Sequence, residues 1–127
     1  SRCTTLSPDY RALADDDVLC IVQIEDMEGI RNAEAIARVP DVDIGFLGPT
    51  DLAASMGEAP GSAAHEQALQ GFREGCARGG KPSGIPAANG AVAQRRISEG
   101  FRFIDMSSDM ALLQTGATAE LEIALSS

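Results

Sequence analysis

Two carboxylates at the ends of apolar segments are the residues best placed to do chemistry. Glu25 closes the apolar run of residues 18–25, and Asp51 follows the run Ile44–Leu47 across a Gly-Pro-Thr turn. In parallel α/β sheets and barrels, ligands and catalytic groups collect at the carboxyl ends of the strands. Neighbouring strands lie roughly 4.8 Å apart, so acids at two adjacent strand ends can hold one cation. The spacing therefore predicts a metal-binding pair.

The segments that must position this pair alternate between strand and helix patterns. This alternation indicates a single domain over residues 1–127, with four βα units and a parallel sheet. A closed eight-stranded barrel typically needs about 250 residues, so residue patterns leave two options, an open doubly wound sheet or half of a barrel. The expected strands cover residues 18–25, 44–47, 83–87 and 101–106, and the expected helices cover residues 9–14, 33–39, 63–78, 91–99, 109–114 and 119–125.

The first strand carries two polar side chains that need an explanation. Strand alternation places Gln23 and Glu25 on the same face. Burying both is costly unless they are paired or bind a ligand, which favours a binding site. The alternative is a surface edge strand with polar ends, but residues 18–22 are too apolar for an exposed edge. Cys20, within this run, is expected to be a small core residue.

Asp51 and the remaining polar candidates each have a structural alternative. The Gly-Pro turn before Asp51 is rigid and holds the side chains that follow at the strand mouth, but Asp51 also fits as the cap of a short helix over residues 52–56. Asp105 and Asp109 are weaker candidates, and Asp109 fits a first-turn helix acid. His65 is expected at the surface. One histidine so placed cannot complete a Ser/His/Asp set.

Composition excludes several classes of function. The chain of 127 residues has a formal net charge of −9, which argues against nucleic acid and anionic membranes as partners. No run approaches the ~20 apolar residues of a membrane span. The first residues lack the basic and then apolar pattern of a secretory signal, so secretion is not expected. The three cysteines, Cys3, Cys20 and Cys76, form neither a metal motif nor a disulfide framework. A reducing, cytoplasmic location is expected.

Several motifs in order give the chain a family resemblance. The strings QIEDMEGIRN and VPDVDIGFLGPTDLAASMG, followed by GKPSGI and FIDMSSDMALL, closely resemble the metal-dependent pyruvate aldolases of the HpcH/HpaI and citrate lyase β-like superfamily. The resemblance covers nearly all of residues 18–115. It implies a (β/α)8 TIM barrel of the phosphoenolpyruvate/pyruvate-binding type, of which this chain supplies the C-terminal half, strands five to eight.

The resemblance also assigns roles to individual residues. It implies that Glu25 and Asp51 bind a divalent cation such as Mg²⁺, Mn²⁺ or Co²⁺. The sequence departs from the family pattern at Asp26, where Thr is frequent, and at the unusual Pro86. The family's enolate-stabilising Arg and its base, a His, come from early strands outside this chain, and His65 does not match that His. The resemblance places four residues around the bound 2-oxo acid: Gln23, Gly48, Thr50 and Pro86.

The implied function is a carbon–carbon lyase. The family's aldolases cleave 4-hydroxy-2-oxo acids to pyruvate and an aldehyde through a metal-stabilised enolate, so we expect pyruvate or a similar small 2-oxo acid as the bound partner. A homo-oligomer, hexamer-like as in the family, is expected for the complete enzyme. Two alternatives stay open: a citrate lyase β-like or malyl-CoA-type lyase, for which no basic CoA patch is evident, and a catalytically incomplete half-barrel fragment.

Overall fold

The computed structural model describes residues 9–10, 14 and 18–126. The helix expected over residues 9–14 lies largely outside these. The described residues form the four predicted strands and five helices, of which two lie between the second and third strands. In chain order they are β1 (Ile21–Ile24), α1 (Met27–Ala37), β2 (Ile44–Leu47), α2 (Pro49–Met56), α3 (Ala63–Arg78), β3 (Ser83–Ala87), α4 (Gly90–Glu99), β4 (Phe103–Met106) and α5 (Asp109–Leu125).

The strands form one parallel sheet in the order β1-β2-β3-β4. A doubly wound sheet would reverse its strand order at a switch point, whereas this sheet progresses in one direction, as a barrel does. The predicted α/β half barrel is therefore the observed fold, and the open doubly wound alternative is wrong.

The helices cover only one face of the sheet. Strand residues such as Leu47 and Ile85 point to that face and are almost fully buried, against Leu69 and Phe72 of α3. Helices α1 and α3 approach closely because Gly75 has no side chain: a Cβ there would lie 2.8 Å from the Cβ of Ala33. The core thus lies between the sheet and a helical layer.

The first strand is shorter and more exposed than the sequence predicts. β1 begins at Ile21, and Val18 and Leu19 before it are 69% and 62% exposed. The prediction that this run is too apolar for an exposed edge is wrong here, because β1 pairs only with β2. Cys20 is exposed, not a core residue. Its backbone N–H donates to the carboxylate of Asp43 at 2.8 Å.

Two helix boundaries also differ from the predictions. α1 begins six residues before residue 33, because Asp26 caps it by accepting a hydrogen bond from the Gly29 N–H at 2.7 Å. α5 is one continuous helix across the predicted break at residues 115–118, and none of its residues is buried. Within the described part of the chain, no helix combines the length and apolar character needed to cross a membrane.

Candidate functional site

Strand register aligns several site residues at one end of the sheet. Ile24 pairs with Leu47, and Pro86 pairs with Asp105. Followed one position further, the β1–β2 register brings Glu25 beside Gly48. All of these positions lie at the carboxyl ends of their strands, where barrel enzymes place their chemistry.

The carboxylate of Glu25 packs directly on the backbone of Gly48. A Cβ at residue 48 would lie 2.5 Å from Glu25 Oε1 and 2.7 Å from its Cγ, so only glycine leaves room for this side chain. Gln23 Nε2 donates a hydrogen bond to Glu25 Oε1 at 2.6 Å, which places both side chains on one face, as alternation predicts. Gln23 is exposed and Glu25 is half-buried, so the expectation that both are buried is wrong in this chain.

The turn after β2 leads straight into a helix. α2 begins at Pro49, with Gly48 at its N-cap position, so Asp51 lies in the first turn and is not the cap of a helix over residues 52–56. Thr50 and Asp51 are both exposed at this helix N-terminus. The first turn of a helix has free N–H groups and a positive dipole end, which favour anionic groups.

An open cavity of about 660 Å³ lies beside this turn and spans the ends of β3 and β4. It brings together Thr50, Pro86 and Asp105, and its wall also includes His65. Gln23 and Glu25 line a different, smaller cleft of about 310 Å³ along β1. Asp51 is part of neither lining. The predicted site residues thus fall into two neighbouring groups joined by the segment 48–51.

His65 is 2% exposed, so the expectation of a surface histidine is wrong. It lies in the first turn of α3, where Ser62 caps the helix by accepting a hydrogen bond from the His65 N–H. Its position falls on the helical face formed by Ala68, Leu69 and Phe72. That periodicity, extended one turn back, would have predicted its burial.

A charged network links α3 to α4 at the cavity edge. Arg96, 8% exposed, donates to both Glu66 and Glu99 at 2.8 Å, and Arg95 also pairs with Glu66. Hydrogen bonding from Arg96 lowers the pKa of Glu66 from 4.5 to about 2. Because Arg96 is fully engaged by carboxylates, this network is structural, and sequence reasoning did not identify it.

Ser107, at the end of β4, has a left-handed backbone with φ of 63°. Its N–H donates to the Ala87 carbonyl at 2.9 Å, and the neighbouring Ser108 caps α5. Asp109 lies in the first turn of α5, in agreement with its structural interpretation. Ser107 and Ser108 both line the larger cavity.

The residues present fit a hard divalent cation. Carboxylate oxygens are the ligands that Mg²⁺ and Mn²⁺ prefer, and the Glu25 carboxylate occupies a cradle that a Cβ at Gly48 would fill. Among the described residues, no group of three His, Cys, Asp or Glu side chains is arranged to hold a metal. Glu25 and Asp51 thus have the donor chemistry for such an ion.

Fold and site together define a class: a parallel, barrel-type α/β protein with carboxylates at the carboxyl ends of its strands. Residues 2–115 match the family model described as HpcH/HpaI aldolase/citrate lyase, and the chain belongs to this family.

Curated relatives agree with the family match. The chain is 39% identical over 117 residues to a 5-keto-4-deoxy-D-glucarate aldolase of Klebsiella pneumoniae, covering 90% of this chain and 45% of the relative. It is 38% identical over 115 residues to a pyruvate aldolase of Rhizobium etli, covering 88% and 45%. The chain thus spans about half the length of the curated relatives it matches.

Solved structures give the same fold. A HpcH/HpaI aldolase/citrate lyase family protein from Burkholderia cenocepacia superposes with a TM-score of 0.84 at 33% identity, over 93% of this chain and 47% of that one. A HpcH/HpaI aldolase from Desulfitobacterium hafniense superposes with a TM-score of 0.78 at 20% identity, over 94% and 48%. The prediction of half a TIM barrel of this family is confirmed.

Proposed function

We propose that this chain is the metal- and pyruvate-binding half of a divalent-metal-dependent aldolase, an aldehyde-lyase that cleaves 4-hydroxy-2-oxo acids to pyruvate and an aldehyde. The single observation that carries the proposal is the Glu25 carboxylate seated on Gly48, next to the turn that presents Thr50 and Asp51. The names of the relatives from Klebsiella pneumoniae and Rhizobium etli support an aldolase acting on a pyruvate-type substrate.

In this proposal, Glu25 and Asp51 hold Mg²⁺, Mn²⁺ or Co²⁺. The cation supplies Lewis acidity toward the keto oxygen of the bound 2-oxo acid. The Gln23 amide, which donates to Glu25 at 2.6 Å, orients that carboxylate and lies beside the substrate. Orientation of a ligand by a neighbouring hydrogen bond typically changes metal affinity or activity by about 10–100-fold.

The first turn of α2 binds the carboxylate of the 2-oxo acid in this proposal. Pro49 has no N–H, so the free backbone donors there are those of Thr50 and Asp51. Helix N-termini bind carboxylates through these amides and the helix dipole. Gly48 and Pro86 complete the pocket: Gly48 by leaving space for the Glu25 carboxylate, and Pro86 by forming the cavity wall at β3.

The complete enzyme is proposed to be a cytoplasmic homo-oligomer. Apolar side chains exposed at the β1 edge and on α5, such as Val18, Leu19 and Leu113 at 69%, 62% and 71%, support packing against further protein. A CoA-thioester lyase remains the alternative within the family, whose description includes citrate lyase. A catalytically incomplete half barrel is the alternative from another class.

The test is whether ligand binding requires the cation and both carboxylates. In the complete enzyme, oxalate, a pyruvate mimic, should bind with Mn²⁺ present and not with chelator. Asp51→Ala should abolish this binding, because one carboxylate has too little charge to hold the ion. Asp41→Ala, an exposed acid at the opposite end of β2, is the matched control. Calorimetry that gives equal oxalate affinity with and without chelator would contradict the proposal.

Two further variants test the geometry. Gly48→Ala should displace the Glu25 carboxylate and weaken Mn²⁺ binding, although the backbone at Gly48, with φ of −93°, tolerates alanine. Gln23→Ala should reduce turnover while Mn²⁺ stays bound. Unchanged Mn²⁺ affinity in Gly48→Ala would show that the cradle has no role in metal binding.

A further inference from the structure

His65 connects two segments that border the candidate site. Its Nδ1 accepts a hydrogen bond from the Gly61 N–H at 3.0 Å, and its Nε2 lies 2.8 Å from the carbonyl oxygen of Pro49. The ring is almost fully buried, at 2% exposure. A buried imidazole with both nitrogens engaged is held in one orientation, so it ties the loop before α3 to the first residue of α2.

These partners define which nitrogen carries the proton. A backbone N–H can only donate, so Nδ1 must be the unprotonated acceptor. A carbonyl can only accept, so Nε2 must carry the proton. The neutral Nε2–H tautomer satisfies both bonds at once. An asparagine in its place reaches the Nδ1 position alone, and a glutamine reaches the Nε2 position alone.

Both segments that this ring joins border the candidate site, and each also has hydrogen bonds of its own, such as those from the Gly48 N–H to the Ile24 carbonyl and from the Ser62 N–H to the Ala59 carbonyl. The loop of residues 57–62 contains two glycines with left-handed backbones, Gly57 and Gly61, at φ of 68° and 82°. Pro49 immediately precedes Thr50 and Asp51, and Pro49, Thr50, Gly61 and His65 all border the cavity of about 660 Å³. The hydrogen bond to Pro49 therefore acts on the turn that carries Asp51.

We propose that His65 is a positioning residue, which fixes the Pro49–Thr50–Asp51 turn through its Nε2–H bond to the Pro49 carbonyl and so sets the affinity of the site for a divalent cation. This inference rests on the proposed function, in which Asp51 is a metal ligand. His65 itself touches neither metal nor substrate in this proposal.

The test compares His65→Asn, which loses the Pro49 bond, with His65→Gln, which keeps a donor at that position. In the complete enzyme, His65→Asn should raise the Kd for Mn²⁺ by about 10–100-fold, the usual effect of removing a partner that orients a metal ligand. His65→Gln should recover most of that loss. Cys76→Ala is the control, because it removes a buried α3 side chain that is 1% exposed and packs on Gly45, away from the turn.

Nuclear magnetic resonance of the same proteins gives a readout that is independent of metal. The ring nitrogen shifts of His65, assigned by their loss in His65→Gln, should show the Nε2–H tautomer, and the Thr50 and Asp51 amide signals should shift more in His65→Asn than in His65→Gln. An Nδ1–H tautomer would overturn the proposal. So would Mn²⁺ affinities in His65→Asn no weaker than in Cys76→Ala, or no recovery in His65→Gln. A parent protein that binds no Mn²⁺ would instead refute the proposed function, and the spectra would still decide whether His65 fixes the turn.

Discussion

The two faces of the sheet differ sharply in how much protein covers them. On the face that carries the helices, Leu47 and Ile85 are 0% and 1% exposed. On the other face, Ile21 is 40% exposed and Phe46 and Phe103 are only half-buried. In an ordinary two-layer protein a bare sheet face would be polar. Here it carries large apolar side chains, as the inward face of a barrel does.

The helices show the same contrast. Phe72 and Leu69 of α3 are fully buried in the core, whereas every residue of α5 is exposed, including Leu113 and Leu125 at 71% and 77%. The covered surfaces are those where the sheet and helices of the four βα units pack against one another. The bare surfaces are those that further barrel strands, or another protein surface, would cover.

The largest expected effect concerns the chain by itself, which spans about half the length of its curated relatives. The resemblance assigns the enolate-stabilising Arg and the catalytic His to early strands, so the 127-residue chain alone should show little or no aldolase turnover. General acid–base help is worth about 10²–10⁴-fold and an oxyanion donor about 10²–10³-fold. Pyruvate release from a 4-hydroxy-2-oxo acid with Mn²⁺ measures this. Turnover of about one per second, within the ordinary range for enzymes, would show that the catalytic residues all lie within this sequence.

Alanine substitutions in α3 and α5 test directly whether the two helices differ in their contribution to stability. Phe72→Ala on the covered face should lower the free energy of unfolding by about 3–5 kcal/mol, because it leaves a cavity in the core. Leu121→Ala on α5, where Leu121 is 60% exposed, should change it by less than about 0.5 kcal/mol. Denaturant titration measures both. A loss at Leu121 approaching that at Phe72 would mean that α5 is covered in solution, most simply by another copy of the chain.

Sequence patterns predicted where most elements lie but not all of their boundaries. The bounds of β2 and β3 were predicted correctly, because Pro and Gly residues flank their apolar runs. The continuity of α5 was missed, because Gly116 costs a helix only about 1 kcal/mol and does not end it. The barrel-type strand order came from the family resemblance, since local patterns left a doubly wound sheet open.

For the candidate site, chemistry was easier to predict than contacts. Acids at strand ends indicated where a cation could bind. The contact between the Glu25 side chain and Gly48 depends on the register between two strands and could not be inferred from either strand alone. The links from His65 to Pro49 and from Arg96 to Glu66 span 16 and 30 residues. Such contacts depend on how helices pack.

The charged network on the covered side gives a pH-dependent prediction. Replacing Arg96 by Met keeps the apolar stem but removes hydrogen bonds to charged partners, which should cost about 1.5–3 kcal/mol at pH 7. The folded pKa of Glu66, about 2, lies below its usual 4.5. The ionised Glu66 carboxylate therefore stabilises the fold above pH 4.5, and this stabilisation is lost as the pH falls toward 2. Stability of Arg96→Met should fall less steeply over that range.

Urea titrations between pH 5 and pH 2 measure this slope. Arg102→Met is the matched control, because Arg102 is exposed and forms no ion pair among the described residues. If the free energies of unfolding of the parent and Arg96→Met fall equally between pH 5 and pH 2, Arg96 does not set the pKa of Glu66.

The smallest expected change in stability is at Ser107, which lies just before the exposed helix α5. Ser107 has a left-handed backbone that costs a non-glycine residue about 1–2 kcal/mol, a cost that glycine avoids. Its N–H bond to the Ala87 carbonyl does not need the side chain, so Ser107→Gly should keep it. Glycine also has greater entropy in the unfolded chain, which offsets part of the gain. The net result should be stabilisation of at most about 1 kcal/mol, measured by thermal or urea unfolding.

Ser108→Gly is the contrasting variant, because it removes the hydroxyl that caps α5 without relieving a strained backbone. Destabilisation by Ser107→Gly would show that the hydroxyl, which borders the cavity of about 660 Å³, makes a stabilising contact in solution that outweighs its backbone cost.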